Sequence, residues 1–418
     1  MTLTLLIDLD DTLLTNPLES FMPAYIKLLS DYLAPFVPAS RMVPQLLYAT
    51  DKMISKDLPA KTLEETFDAD FYASLGLIKN DLVEPLDTFY TQNFQKLQSV
   101  TKQKPEALRI VEYAVSKKHT IVVATNPLFP QKAIQSRLAW AGFPPDNTPF
   151  QFITSYENMH FAKPNPAYYA EILGLLGWPL QPFCMIGNSL TDDILPASSL
   201  GMPGFLVDGK DSDLPENIAQ GSRAGTLDKV IPWLDELEGK THESEIKSIP
   251  GILAILKTTP VVMDTLTKNL SDTDWKVKPT PSEWSILETI CHIFDVEKEI
   301  NIPRFEKILS NEDPFLVGID SDIWVNQRNY NETRTPFCLT KFLKLRLTFL
   351  KILNSLSSAD WQRTVRHSIF GPTSLLELAN FIIRHEQDHI RQVYKALNNF
   401  NRSACRWFMS YKRFVNLL

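Results

Sequence analysis

Two groups of residues in this 418-residue chain have the types and the spacing for chemistry. The first is Asp8, Asp10 and Thr12, which follow the apolar run Leu3–Ile7 at intervals of two. Carboxylates that close repel one another unless a cation or a shared proton relieves them. The second group is drawn from the seven histidines, of which His292, His385 and His389 fall on long helical patterns. His385 and His389 are four residues apart in FIIRHEQDHIRQ, so they project from one helical face. Leu378, Ile382 and Val393 extend that face, which therefore points inward. A lone histidine on an apolar face is usually a hydrogen-bonded core residue, whereas two, one turn apart on a buried stripe, have the spacing of metal ligands. His119, His160, His242 and His367 have no such partners and read as surface or loop residues.

The carboxylates need a strand to hold them. Leu3–Ile7 reads as a buried strand, which puts Asp8 and Asp10 at its C-terminal end, the edge of an open α/β sheet where ligands bind. Further runs, TIVVA at 120–124, residues 150–154, FCMI at 183–186 and residues 204–207, read as four more strands. Helical patterns at 106–117, 130–141, 167–176 and 194–200 alternate with them, which predicts a doubly wound parallel sheet with helices on both faces. The segment from about 16 to 104 shows only helical periodicity, for example Met22, Tyr25, Ile26, Leu29 and Leu33, and reads as an all-helical insertion. Three later strand ends offer further groups: Thr125 and Asn126, then Lys163, then Asn188, Asp192 and Asp193. A nucleophilic carboxylate, a hydroxyl, a fixed cation and a second acidic cluster at such an edge are what phosphoryl transfer through an aspartyl-phosphate requires.

The histidines need a bundle. Past a polar linker at 238–247 no convincing strand appears, and residues 248–400 read as four helices. Thr259 and Pro260 read as the start of one, running over 261–270. Ser285 with Glu288 and Ser374 with Glu377 are capping boxes of two others, and Pro303 should kink or end the first of these. The remaining helix spans 339–356, and the tail, 401–418, reads as a helix packed on the bundle.

Composition bounds the function. With 44% hydrophobic and 22% charged residues the chain is globular, and its length suits two or three domains. A net charge of −7 argues against wholesale nucleic-acid binding. No apolar run approaches the ~20 residues of a bilayer span, so no membrane span is expected. Four scattered cysteines match no disulfide framework, and a reducing cytoplasm is the simplest compartment.

Taken as a set, the residues from Asp8 to Asp193 resemble the haloacid dehalogenase (HAD) superfamily of phosphohydrolases over 1–237. The resemblance implies Asp8 as nucleophile and Asp10 as general acid/base in the motif DLDDT. It implies Thr125 as phosphate-binding hydroxyl, with Thr12 and Asn126 beside it, and Lys163 as the charge-neutralising lysine. Mg²⁺ would be held by Asp8, Asp10, Asn188 and Asp193. Asn188 departs from the family's acidic residue and carries one negative charge fewer, which Asp192 would offset in a shifted loop. Asp10 favours phosphate esters over halides, and the helical insertion falls where the family places a cap. The substrate class is a small-molecule phosphate ester.

EWSILETICHIFDVE with HEQDHIRQ resembles the DinB-like superfamily of metal-binding four-helix bundles. That likeness implies His292, His385 and His389 as ligands of Zn²⁺ or Ni²⁺, with Trp284 before the first. Glu288 serves as helix cap or as a partner of His292. Some relatives are thiol-dependent transferases, so an alternative function is a metal-dependent transferase in the bundle beside a regulatory HAD-like domain. Two binding modules without turnover, and a homodimer, also fit the sequence.

Overall fold

The computed structural model describes residues 2–239, 246, 248–312, 314–335 and 337–400. The chain divides into two compact units, Met1–Asp57, Lys61–Tyr168 and Leu180–Glu245 in the first, and Leu58–Ala60, Tyr169–Pro179 and Ile246–Leu418 in the second. His242 and the 401–418 tail lie outside the described residues.

In the first unit, β1 (Thr4–Ile7) runs into β2 (Leu14–Thr15), which pairs antiparallel with β3 (Lys102–Gln103). Between β2 and β3 the chain is helical, with helices at Leu18–Leu33, Ala39–Ile54, Leu63–Leu75 and Lys79–Thr88. Then β4 (Thr120–Val123), β5 (Phe152–Ile153), β6 (Phe183–Gly187), β7 (Gly204–Val207) and β8 (Arg223–Gly225) join β1 in a six-stranded parallel sheet of order β5-β4-β1-β6-β7-β8. The central strands are buried apart from the half-buried Thr120 that opens β4, as their largely apolar sequences require. β8 departs from expectation. RAG has no apolar run, and as an edge strand it needs only backbone pairing to β7.

Register decides what meets at the sheet edge. Ile7 stands level with Val123 on one side and with Ile186 on the other. Asp8 and Ala124 therefore begin adjacent loops beside Gly187, the last residue of β6, and the backbone stays paired one residue further, from Asp8 N–H to the Ile186 carbonyl at 2.9 Å.

Three of the histidines read as surface or loop residues are buried, His119 and His160 within loops and His367 at a strand end. His367 takes the N–H groups of Ile369 and Phe370 on Nδ1 and so closes a turn, and His160 is only 8% exposed. His119 accepts the Leu3 N–H on Nδ1 at 3.1 Å, and its Nε2 lies 3.0 Å from Glu238. Burial lowers its pKa below the usual 6.5, against the pull of Glu238. Below about pH 6.5 the unfolded chain then takes up a proton that the folded chain refuses, so stability falls as pH drops through that window. His119→Ala, which leaves the Leu3 N–H unpaired, is expected to cost about 1–3 kcal/mol in denaturant unfolding at pH 7 and to flatten this part of the pH dependence.

The second unit has four long helical stretches. Ile249–Thr267 is the first, and it starts eleven residues before Pro260, capped by Ser248 on the Gly251 N–H. Pro260 therefore lies inside the helix. It cannot donate to the Leu256 carbonyl, and the buried Arg346 does so in its place, Nη1 to oxygen at 2.6 Å. By length and composition this helix, with a mean hydropathy of 1.3, could cross a membrane, but 61% of that window is buried within the structure. The second stretch runs from Ile286 to Val296, through a π-helical turn at Glu297–Asn301, and on from Ile302 to Ser310. Pro303 is accommodated by that turn, where the Ile302 N–H reaches back to Glu297. Phe337–Asn354 and Leu375–Phe400 complete the set.

Two further features correct the sequence reading. The region has strands after all: β9 (Phe315–Leu316), β10 (Thr364–His367) and β11 (Gly371–Ser374) form a small sheet, too short for alternation to reveal. Cys291 and Cys338, 47 residues apart, form a disulfide with Cα atoms 5.6 Å apart, a pairing that spacing along the chain does not disclose.

Candidate functional site

At the carboxyl edge of the sheet, Lys163 Nζ donates to Asp8 Oδ1 at 2.7 Å and to Asp193 Oδ1 at 2.5 Å. All three are buried. Asp193 also accepts the Ser189 N–H at 3.0 Å. A Cβ on Gly187 would fall 2.3 Å from Asp193 Oδ2, so the glycine makes room for that carboxylate. Two ionised carboxylates with one ammonium would leave a formal charge of −1 in a buried site. Burial pushes the Asp8 carboxyl up to about 7; Lys163 opposes the rise, and Asp193 and Asp10 add to it. Among the described residues, Thr12 Oγ1 and Asn126 Oδ1 are buried without a hydrogen-bond partner. Thr125, next to Asn126 in sequence, is also buried, its carbonyl accepting the hydroxyls of Tyr168 and Thr154 at 2.7 and 2.9 Å. This donor set, rich in oxygen and short of positive charge, fits a hard divalent cation.

Asp10 and Asn188 are placed differently. Asp10 accepts Asn16 Nδ2 at 2.7 Å and Arg137 Nη1 at 2.5 Å. Asn188 is exposed and lines an open groove of about 720 Å³ with Asp11, Lys104 and Asp208. Asp192 is half-buried, and burial together with Asp193 raises its pKa. Arg137 is the residue that sequence reasoning missed. Its signal was present: in Gln131–Trp140 it falls on the apolar stripe of Ala133, Ile134 and Leu138, where a charge needs a partner.

In the second unit, His292, His385 and His389 converge, with all three ligand atoms within 4.8 Å of one another. His385 Nε2 lies 3.3 Å from His292 Nε2 and 2.9 Å from His389 Nε2. Gln392 Oε1 sits 2.7 Å from His389 Nδ1, which fixes the proton there and turns the Nε2 lone pair inward. Trp284 stacks on His389 with centroids 5.6 Å apart. Burial first, then the interactions with His385 and Arg328, push His292 down to about 3, and burial also lowers His385 and His389. Three neutral imidazoles facing one point fit a borderline metal such as zinc. Asp322 was not singled out from sequence. Its Oδ1 is 3.8 Å from His292 Nε2, on a long inter-helix loop that no periodicity marks. Glu288 closes its capping box with Ser285 and accepts Asn331 and Lys278.

One buried ion group holds these helices in register. Arg346 binds Glu297 through Nε and Nη2, at 2.6 and 2.9 Å, and Glu386 through both terminal nitrogens. Glu386 also accepts the Thr259 hydroxyl. Through Leu256 and Thr259 on the first helix, Glu297, Arg346 and Glu386, the group touches all four helical stretches.

Residues 160–236 match the HAD-hydrolase-like family and residues 255–393 match the DinB superfamily. Haloacid dehalogenase-like hydrolase domain-containing protein 3 of Danio rerio is 34% identical over 79 residues, 18% of this chain and 33% of the relative, so the chain spans a third of that relative's length. YfiT from Bacillus subtilis, a four-helix bundle of unusual topology, is 16% identical with a TM-score of 0.35 and covers 38% of this chain and 93% of its own. A HAD phosphatase from Thermococcus onnurineus is 18% identical with a TM-score of 0.36, covering 56% of this chain and 98% of its own. The chain thus joins a region similar to HAD-like hydrolases to a region similar to the DinB superfamily, and the second carries a three-histidine group.

Proposed function

We propose that the first unit is a Mg²⁺-dependent phosphohydrolase of small phosphate esters that works through an aspartyl-phosphate on Asp8. The observation that supports this reading most is the pair of buried carboxylates, Asp8 and Asp193, sharing Lys163 at the sheet edge. Asp8 would attack phosphorus while Asp10 gives the leaving alkoxide its proton. Asp10 then takes a proton from the water that attacks the same phosphorus, which frees phosphate and restores Asp8. Thr12, Thr125 and Asn126 supply polar groups for the transferring phosphoryl oxygens, and Lys163 offsets the charge they bring. Mg²⁺, when held by Asp8, Asp193 and their neighbours, would neutralise the phosphate oxygens. Asp10 must exchange Arg137 and Asn16 for substrate, and the helical segment 16–104 is assigned as the cap whose closure accompanies that exchange. The test is phosphate release from a panel of small monoesters by the full chain. Release that requires Mg²⁺ and stops with chelator is expected, and no such release across the panel rejects the reading.

The convergence of three imidazoles favours a second centre in the bundle, where His292, His385 and His389 would hold Zn²⁺ or Ni²⁺. Asp322 is placed to supply a fourth ligand or to hold a bound water. Such a metal polarises a carbonyl or activates water. His385→Ala together with His389→Ala is expected to remove the metal from the purified chain by elemental analysis. Asp322→Ala is expected to weaken its retention against chelator by roughly 10–100-fold. Unchanged metal content in the double variant sinks the assignment.

A further inference from the structure

Beside the histidines lies a cavity of about 160 Å³. Its walls include Ile300, Phe305, Leu378 and Ile382, and His385 forms part of one side. Phe370 and Phe381, stacked with centroids 4.4 Å apart, also line it, although they are 52% and 38% exposed. Large aromatics left at the mouth of an apolar hollow mark a place where something binds. An apolar hollow of about 150 Å³ accepts a benzene-sized group.

The polar part of the lining is equally specific. Arg304 reaches the cavity, gives one N–H to the Val317 carbonyl at 2.9 Å, and has no carboxylate partner among the described residues. Burial alone moves its pKa, downward, with no acid opposing the shift. The contrast with Arg346, which is paired twice, is direct. A half-buried guanidinium without a counter-charge is unfavourable by itself and favours an incoming anion. Asn301 and Ser321 add polar groups to the same lining.

We propose that this cavity binds a small molecule built from one apolar ring and one carboxylate, with the ring between Ile300, Phe305 and Ile382 and the carboxylate on Arg304. The bound molecule then presents an edge to His385. The site stands apart from the phosphohydrolase reading and does not require the histidines to carry a metal.

Benzoate binding to the full chain, measured by calorimetry in the presence and absence of chelator, tests this. Benzyl alcohol, similar in size and uncharged, is the comparison. Benzoate is expected to bind with or without chelator, and Arg304→Gln to weaken it about tenfold or more while benzyl alcohol is unaffected. Ile382→Trp, which fills the hollow, is expected to exclude both ligands from a chain with an unchanged melting temperature. The proposal is overturned if benzoate fails to bind, or if Arg304→Gln binds it as tightly as the parent chain. It is also overturned if chelation removes the binding, which would put the carboxylate on a metal instead. None of these outcomes bears on phosphate release, so the two readings fail separately.

Discussion

The Asp8→Asn chain is expected to lose Mg²⁺-dependent phosphate release by about four orders of magnitude or more, because removing a covalent nucleophile costs about as much as removing the whole group it works with. Its fold should survive. The asparagine is isosteric and can still accept from Lys163, which donates to Asp8 at 2.7 Å. It also takes away one of two buried carboxylates whose repulsion, with burial, pushes the Asp8 pKa up to about 7. The melting temperature is therefore expected to stay level or to rise, since a buried charge held by half an ammonium is unfavourable to folding. Activity and stability move in different directions only if Asp8 is there for chemistry. A variant that folds and keeps its activity removes Asp8 from the mechanism.

Arg346→Ala is expected to be the most damaging single change in the second unit. Glu297 and Glu386 would be left buried with no cation, and the Leu256 carbonyl with no donor. Removing one partner of a buried ion pair costs about 3–5 kcal/mol. For a domain of this size that lowers the melting temperature by roughly 10 °C. The control is the combined change Glu297→Leu, Arg346→Met and Glu386→Leu, which removes all the charges at once and is expected to recover most of the loss. Thermal unfolding of both variants decides the matter. If the combined variant is as unstable as the single one, hydrogen bonding to Leu256 and Thr259 outweighs the ion pairs.

The parts of the fold that could be read from the sequence were those carried by apolar period. β1, β4, β6 and β7 are continuous apolar runs, and the capping boxes Ser285–Glu288 and Ser374–Glu377 appear as the spacing indicated. β8, β10 and β11 went unread because RAG, TVRH and GPTS hold no continuous apolar run, and β9 because a two-residue strand in a long loop carries no mark of its own. Pro260 misled because here a distant side chain takes the carbonyl that the proline abandons, and Arg346 lies 86 positions away along the chain. At the sheet edge, sequence named the residues while the structure divides them. Asp8, Asp193 and Lys163 are joined, whereas Asp10 is engaged by Arg137 and Asn188 faces an open groove. Arg137, Arg346 and Glu386 share a legible sign, a charge on a stripe that is otherwise apolar. What no sequence pattern provides is the identity of the partner each charge finds.

The proline in the first bundle helix has an evolutionary side. An ordinary residue at 260 would return an N–H to the Leu256 carbonyl and make the contact from Arg346 redundant. Positions 260 and 346 are thus coupled through the Leu256 carbonyl, while Arg346 stays bound to Glu297 and Glu386 whatever stands at 260. In a set of related chains, loss of Arg346 should go with loss of Pro260 as well as of the two glutamates. One constraint on the third helix is thereby written in the first.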